Sequence, residues 1–263
     1  RKAQVDWTET SVRIEERVTS KQLCITQGFI AGTNDGWMTT LGREGSDYSA
    51  AIFGKCLKAK EVVFWKDVPG IMNADPKLFP GARKFDYLSY QEATEMTYYG
   101  AKVIHPKTLK PLAIANIPLT VKSFLNSKGV GSCISEEQEH ETIPTYVFRY
   151  GQALVTLKSR ENEFTSKKIL IKVFSELEDL GIELNIMQRS ALTFSFSVDA
   201  TEEILLEIRS RFESDFKVYY NNQLHLATVK NFTKEALDLL PDSQEIYLEQ
   251  ITRHNYQRLY SPK

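Results

Sequence analysis

The chain has 263 residues, of which 42% are hydrophobic and 25% are charged, and its formal net charge is −1. This composition is typical of globular proteins with one large or two medium domains. The near-neutral charge gives no electrostatic basis for binding nucleic acid or an anionic membrane, and no apolar run is long enough to span a bilayer. Three separated cysteines without a CxxC pair, and four scattered histidines, predict a cytoplasmic protein with reduced thiols and no zinc site.

The pattern of residues 1–134 predicts strands that alternate with helices. A β-rich run at 22–32 is followed by Asn34-Asp35-Gly36, a strong hairpin signal. The further predicted elements are a helix at 46–58, a strand at 61–66, a loop at 67–81, helices at 89–99 and 106–115, and a strand at 117–123. We therefore expect an α/β layer with a mostly parallel sheet, whose ligands lie beyond the carboxyl ends of its strands.

The acidic segment 135–144 is predicted to be a linker to a second domain at 145–263. The predicted order there is strand 153–158, helix 166–180, strand 182–188, strand 192–199, helix 201–213 and strand 216–220. This βαββαβ order indicates a ferredoxin-like fold. Asn221-Asn222 predicts another hairpin, and a helix at 233–240 with a strand at 245–252 is too short for a second complete motif.

The turn before the first long helix concentrates charged and small residues in the segment "TTLGREGSDYSAA". Arg43 can clamp a carboxylate with two hydrogen bonds, and the amides at the start of the helix attract anions. Ser46 or Asp47 is a good N-cap residue. A well-capped surface helix is the alternative interpretation of this turn alone.

This segment, together with "WKDVPGIMNADPK" and "YYGAKVIHPKTL", resembles the aspartate kinases of the amino acid kinase family in order and spacing. The ferredoxin-like segment resembles the ACT regulatory domain of those enzymes, and the tail that follows it resembles a partial second ACT unit. The resemblance implies that residues 1–134 form the C-terminal lobe of the amino acid kinase fold. It also implies phosphorylation of the β-carboxylate of L-aspartate by Mg-ATP, the first step of lysine, threonine and methionine biosynthesis, with ATP and Mg²⁺ as cofactors.

The resemblance also implies roles for individual residues. Aspartate is bound by Arg43, Gly45 and Ser46; Asp47 and Lys102 are catalytic; the nucleotide is bound by Lys66, Asp67, Met72, Lys77 and Lys102. The alternatives are a local ion pair for Arg43, capping of a turn by Asp67 and a solvated Lys102. His105 is expected to have a structural or capping role ahead of Pro106.

Three departures from the family pattern stand out. Glu44 replaces a glycine that many relatives have, and we expect its carboxylate to point away from the substrate or to pair with a lysine. Lys66 and Met72 stand where relatives often have threonine and tyrosine at the nucleotide. The family's Lys-Phe-Gly-Gly-Thr-Ser phosphate loop is absent, so the chain is expected to be a C-terminal fragment of an aspartate kinase, inactive by itself.

The ACT resemblance implies a homodimer and a feedback amino acid, lysine or threonine. Its pocket is expected at Ser166, Leu170, Glu183, Leu184 and Asn185. Some lysine-inhibited relatives have an aspartate at position 185, so the exchange removes a charge suited to lysine. Ordinary strand residues at a dimer edge are the alternative, and an amino-acid-binding regulatory module without catalysis is the alternative function. The strand at 245–252 is expected to support dimerisation.

Overall fold

The computed structural model describes residues 4–18, 23–101, 104–136, 142–160 and 165–263. The chain forms two compact units, Arg1–Ile143 and Pro144–Lys263. Within the described residues, no helix combines the length and the apolar character needed to cross a membrane.

The first unit places helices against a four-stranded mixed sheet. Its elements are α1 (Trp7–Arg17), β1 (Ile30–Gly32), β2 (Met38–Thr40), α2 (Gly45–Cys56), β3 (Val62–Lys66), β4 (Tyr87–Leu88), α3 (Tyr90–Tyr99), α4 (Pro106–Ile114), β5 (Leu119–Ser123) and β6 (Ser132–Ile134). The sheet order is β3-β5-β6-β4, in which β3 pairs with β5 and β4 with β6 in parallel, while β5 and β6 are antiparallel. The expected sheet is therefore present, with one antiparallel step that the sequence pattern did not indicate.

Apolar side chains of the sheet and of α2, α3 and α4 form the core of this unit. Ala51, Leu112, Leu119 and Ile134 are completely buried there. Helix α3 starts at a capping residue, since the Ser89 hydroxyl accepts a hydrogen bond from the amide of Glu92. The N-cap of α2 expected at Ser46 or Asp47 is wrong, because α2 begins at Gly45 and both residues lie in its first turn.

The expected strand at 22–32 is wrong over most of its length. Of the described residues 23–32, only Ile30–Gly32 form a strand, which makes a hairpin with β2 around the predicted turn. Phe29 has a φ of 74°, a left-handed conformation that interrupts an extended chain. Leu23 and Ile25 are each 92% exposed, so their apolar character does not reflect burial in this sheet.

The second unit contains one six-stranded antiparallel sheet. Its elements are β7 (Thr145–Ser159), α5 (Lys167–Asp179), β8 (Ile186–Arg189), β9 (Thr193–Asp199), α6 (Glu202–Phe212), β10 (Phe216–Lys230), α7 (Lys234–Asp238), β11 (Ser243–Ile251) and β12 (Asn255–Pro262). The order is β11-β12-β10-β7-β9-β8. The four strands β10-β7-β9-β8, with α5 and α6, have the expected ferredoxin-like chain order.

The predicted hairpin at Asn221-Asn222 is wrong because β10 continues through both residues. The register between β10 and β7 shifts between Asn221 and Leu224, and Gln223 has a φ of 57°. Polar residues that usually mark a turn therefore mark a β-bulge here. The tail extends the same sheet, and β11 is an edge strand.

Candidate active site

The turn that precedes α2 is shaped by left-handed backbone and by one close contact. Gly42 has a φ of 74° and Glu44 a φ of 55°. Gly45 is buried, and a Cβ at this position would lie 2.5 Å from Cδ2 of Phe29. Glycine at 45 is therefore required by close packing, whereas Glu44 has a conformation that ordinarily favours glycine.

The carboxylate of Glu44 joins this turn to the start of α4. Its Oε2 accepts a hydrogen bond from the backbone N–H of His105, at an N···O distance of 2.8 Å. This partner is a backbone amide and not the lysine that was one of the two expected outcomes, and the amides at a helix N-terminus attract a carboxylate. The structural role of His105 is confirmed: it is the N-cap of α4, and its Nδ1 accepts a hydrogen bond from the amide of Lys107 at 3.1 Å.

Lys107 is a second link between the same elements, which sequence reasoning missed. Its Nζ donates to the backbone oxygen of Leu41 at 2.9 Å and to that of Arg43, and it lies 5.4 Å from the ring centre of Tyr48. Lys107 thus holds the carbonyl groups of the turn while the Arg43 side chain stays exposed. No short-range signal marks this contact, which joins residues 64 and 66 positions apart.

The structure brings together two residues that the sequence assigned to different roles. Nζ of Lys66, the last residue of β3, lies 2.8 Å from Oδ2 of Asp47 in the first turn of α2. The two side chains are 26% and 23% exposed, respectively. The predicted catalytic carboxylate and one predicted nucleotide-binding residue therefore form a largely buried ion pair.

The other predicted site residues of this unit lie on the surface or at its margin. Arg43, Ser46 and Asp67 are exposed. Lys77 is exposed, and its amide donates to Oδ1 of Asp75 at 2.9 Å in the loop after β3. Half-buried Met72 forms an isolated β-bridge with Lys84, and Lys102 lies outside the described residues.

The residues predicted to bind an effector in the second unit have local partners. Ser166 caps α5, its hydroxyl accepting from the amide of Ile169 at 3.3 Å, and Leu170 and Leu184 pack against the core of the ferredoxin-like segment. Glu183 is exposed. These contacts are equally compatible with the alternative interpretation, in which the residues have a structural role and bind no effector.

Asn185 belongs to a polar network at one end of the sheet. Its Nδ2 donates to Oε1 of Gln152 at 2.7 Å and to Oδ1 of Asp199 at 3.1 Å, and Gln152 is completely buried. Oδ2 of Asp199 lies 3.6 Å from a guanidinium nitrogen of Arg149. A carboxylate therefore remains beside position 185, although it comes from the neighbouring strand.

Comparison with known proteins places these features in a family context. Residues 2–123 match the model of the amino acid kinase family. The lysine-sensitive aspartokinase 3 of Escherichia coli K12 is 38% identical over 180 residues, which make up 68% of this chain and 40% of that protein. The matched residues therefore make up less than half of that relative.

Solved structures of an aspartokinase are similar to this chain over almost its whole length. E. coli aspartokinase III in complex with aspartate and ADP has a TM-score of 0.80 and 29% identity, covering 99% of this chain and 62% of that one. The same enzyme in complex with lysine and aspartate has a TM-score of 0.74 at the same identity and coverage. The comparisons thus show an amino acid kinase segment at residues 2–123, in a chain that is similar to aspartokinases.

Proposed function

We propose that this chain is part of an aspartate kinase that transfers the γ-phosphoryl group of ATP to the β-carboxylate of L-aspartate, in the pathway to lysine, threonine and methionine. The observation that carries this proposal is the similarity over 99% of the chain to an aspartokinase structure in complex with aspartate and ADP. This chain covers 62% of that enzyme, so the activity of the whole enzyme is a proposal that the fold of this part does not establish.

The geometry of the turn supports a site for a dicarboxylic amino acid. The exposed guanidinium of Arg43 can bind a carboxylate with two parallel hydrogen bonds, and the exposed hydroxyl of Ser46 can add another. The first turn of α2 adds amides and the positive end of the helix dipole. Glu44 bonds to the amide of His105, so its negative charge is compensated at α4.

The described residues fit a nucleotide better than a protein-built metal site. Lys66 and Asp67 lie at the carboxyl end of β3, which is paired in parallel with β5, and ligands of such sheets lie beyond this end. Within the described residues, no group of three or more His, Cys, Asp or Glu side chains could hold a metal ion. We therefore propose that Mg²⁺ is held largely by the nucleotide phosphates, which is its common mode in kinases, and that it neutralises phosphate charge there.

Aspartate binding to the chain, measured by calorimetry, tests the proposal. A parallel incubation with L-aspartate, Mg-ATP and hydroxylamine, which traps the acyl phosphate, checks the expectation that the chain is inactive by itself. Arg43→Gln should weaken aspartate binding by about tenfold or more, whereas Arg253→Gln, at an exposed position of the second unit, should not. A wild-type chain that neither forms the hydroxamate nor binds aspartate would show that the proposal is wrong.

We also propose that the second unit binds a feedback amino acid, with lysine as the first candidate. A lysine complex is known for the similar E. coli enzyme, and Asp199 keeps a carboxylate 3.1 Å from Asn185 in this chain. Calorimetric titration with lysine and threonine, with methionine as the control, separates the candidates. Saturable lysine heat that is lost in Asn185→Ala supports the proposal, and no heat from lysine or threonine contradicts it. The homodimer and the cytoplasmic location stay predictions.

A further inference from the structure

A cavity in the first unit lies where α2 and α4 end, and lysine side chains line it. Its volume is about 350 Å³, and its walls include Lys55, Lys58 and Lys60 as well as the apolar residues Ile117 and Pro118. None of the described residues that line it is acidic. We propose that this cavity binds a small organic phosphate monoester, a ligand that carries nearly two negative charges at neutral pH.

Two equivalent connections between a helix and a strand form the cavity. Helix α2 leads into β3 and α4 leads into β5, and each connection contains one residue with left-handed backbone. The φ angle is 50° at Lys58 and 51° at Asn116. The amide of Val62 donates to the backbone oxygen of Pro118 at 2.9 Å, which holds the two connections side by side. The walls of the cavity are therefore anchored to regular secondary structure.

The lysine charges at this cavity are not compensated by carboxylates. Within the part of the chain that the structure describes, neither Lys58 nor Lys60 forms an ion pair or donates to a carbonyl group at a helix end, which is an ordinary role of lysine there. The ammonium of Lys55 lies 4.1 Å from the ring centre of Trp7. Three cations around a cavity without an acidic residue create a positive potential that attracts anions.

The backbone of Lys58 is a second sign that this residue has a function. A left-handed residue just after a helix is usually glycine, sometimes asparagine, because a Cβ is unfavourable in this conformation. Asn116 follows that preference at the end of α4, but Lys58 does not follow it at the end of α2. Unfavourable backbone conformations are concentrated at ligand-binding sites, where the side chain is needed.

The walls of the cavity favour a phosphate attached to carbon over an inorganic ion. Lysine binds phosphate as a compact point charge and does not require the planar geometry of a carboxylate. The apolar surface of Ile117 and Pro118 suits carbon atoms, and the volume is at the lower end of the range of small-molecule sites. A phosphate monoester of a short carbon chain combines both properties.

The cavity is separate from the candidate active site. Helix α2 begins beside Glu44 and α4 begins beside His105, which are hydrogen-bonded to each other, and the cavity lies at the opposite ends of both helices. The helices have 12 and 9 residues, so at about 1.5 Å per residue they place the cavity about 14–18 Å from that turn. The inference therefore goes beyond the proposed function and does not depend on it.

NMR titration of the ¹⁵N-labelled chain tests the inference and locates the ligand. The probe is glycerol 3-phosphate, with glycerol as the uncharged control and succinate as a dianion without phosphate. Saturable shifts with glycerol 3-phosphate should be concentrated at the amides of residues 58–60 and 115–117. Glycerol should cause none of these shifts, and succinate should bind more weakly.

Variants with matched controls test the role of the charges. Lys58→Met with Lys60→Met should lower the affinity for glycerol 3-phosphate by about tenfold or more. Lys217→Met with Lys234→Met removes two exposed lysines of the second unit and should leave the affinity unchanged. Ala115→Glu adds a carboxylate to the cavity wall and should also weaken binding by about tenfold, whereas the neutral Ala115→Gln should bind within about threefold of the wild type.

Several outcomes would overturn the inference. The absence of saturable shifts at these amides up to about 10 mM ligand would show that the cavity is not a phosphate site. An equal loss of affinity in the variant of the second unit would show that the attraction is unspecific. Succinate that binds as tightly as glycerol 3-phosphate would exclude selectivity for phosphate. Arg43→Gln should not change this titration, and binding that is lost in that variant would assign the phosphate to the candidate active site instead.

Discussion

Glu44 provides the sharpest test of how the turn before α2 is held. Its φ of 55° is unfavourable for any residue with a Cβ, yet its carboxylate accepts a hydrogen bond from the His105 amide at 2.8 Å. Glu44→Ala removes the hydrogen bond and keeps the strained backbone. Glu44→Gly removes the same hydrogen bond and relieves the strain. The pair of variants therefore separates two contributions that act in opposite directions.

The magnitudes follow from these two contributions. A hydrogen bond to a charged group contributes about 1.5–3 kcal/mol. A left-handed conformation costs a non-glycine residue about 1–2 kcal/mol, which glycine avoids. Glycine loses more conformational entropy on folding than alanine, and this offsets about 0.5–1 kcal/mol of its advantage. We expect Glu44→Ala to lower the free energy of unfolding by about 2 kcal/mol and Glu44→Gly by about 1 kcal/mol. The glycine variant should be the more stable one, the reverse of the usual order within a helix.

Urea unfolding followed by tryptophan fluorescence measures this stability difference in the first structural unit, where Glu44 lies. All three tryptophans of the chain, at positions 7, 37 and 65, lie in the first unit, so the signal reports its unfolding alone. Glu61→Ala, at an exposed position before β3, is the matched control and should change the free energy by less than about 0.5 kcal/mol. An alanine variant at 44 that is as stable as the glycine variant would refute the reasoning.

Three further changes test packing, ionisation and assembly. Gly54→Ala should lower the free energy of unfolding by about 1–3 kcal/mol in the same assay, since the new Cβ would lie 2.4 Å from a valine methyl of β3, whereas Gly81→Ala, with open space around it, should have little effect. Burial and, to a smaller extent, a hydrogen bond to a glutamate of β11 raise the pKa of Tyr256 to about 12. The stability that this neutral hydroxyl contributes is therefore present below about pH 10 and is lost as the pH rises through about 12. In urea unfolding followed by circular dichroism, the stability advantage of the wild type over Tyr256→Phe should shrink over that pH range. The double change Ile246→Glu and Ile251→Glu places charges on edge strand β11, at positions that are 45% and 67% exposed. If this edge supports a dimer, the sedimentation coefficient should fall to the monomer value. An unchanged dimer would exclude this edge as the interface.

Local signals predicted many of the regular elements, although α1, β6 and β12 were not predicted. Helix α4 begins at Pro106 behind its capping histidine, and α2 ends within two residues of the expected position. The ferredoxin-like chain order was also predictable, because alternation in β9 and the apolar stripe of α5 are properties of short segments. These elements depend on interactions between residues that are close in sequence.

The errors arise where long-range contacts decide the conformation. Asn221 and Asn222 have the composition of a turn, but pairing of β10 with β7 keeps them in a bulged strand. Lys107 contacts the turn at 41–43 only because α2 and α4 pack together. Its contribution was therefore hidden from any argument based on spacing.

The Lys66–Asp47 pair lies between these two cases, because it follows from the lengths of two consecutive elements once they pack against each other. Helix α2 has 12 residues and β3 has five. At about 1.5 Å per residue for a helix and about 3.3 Å for a strand, both elements are close to 17 Å long. Since β3 follows α2 after a short connection and packs against it, the chain returns to the level from which α2 started. The last residue of β3 must therefore lie near the first turn of α2, and a lysine at that end meets an aspartate in that turn. This argument needs the lengths of the two elements and their packing against each other, so an inserted residue in β3 should separate the pair while leaving α2 intact.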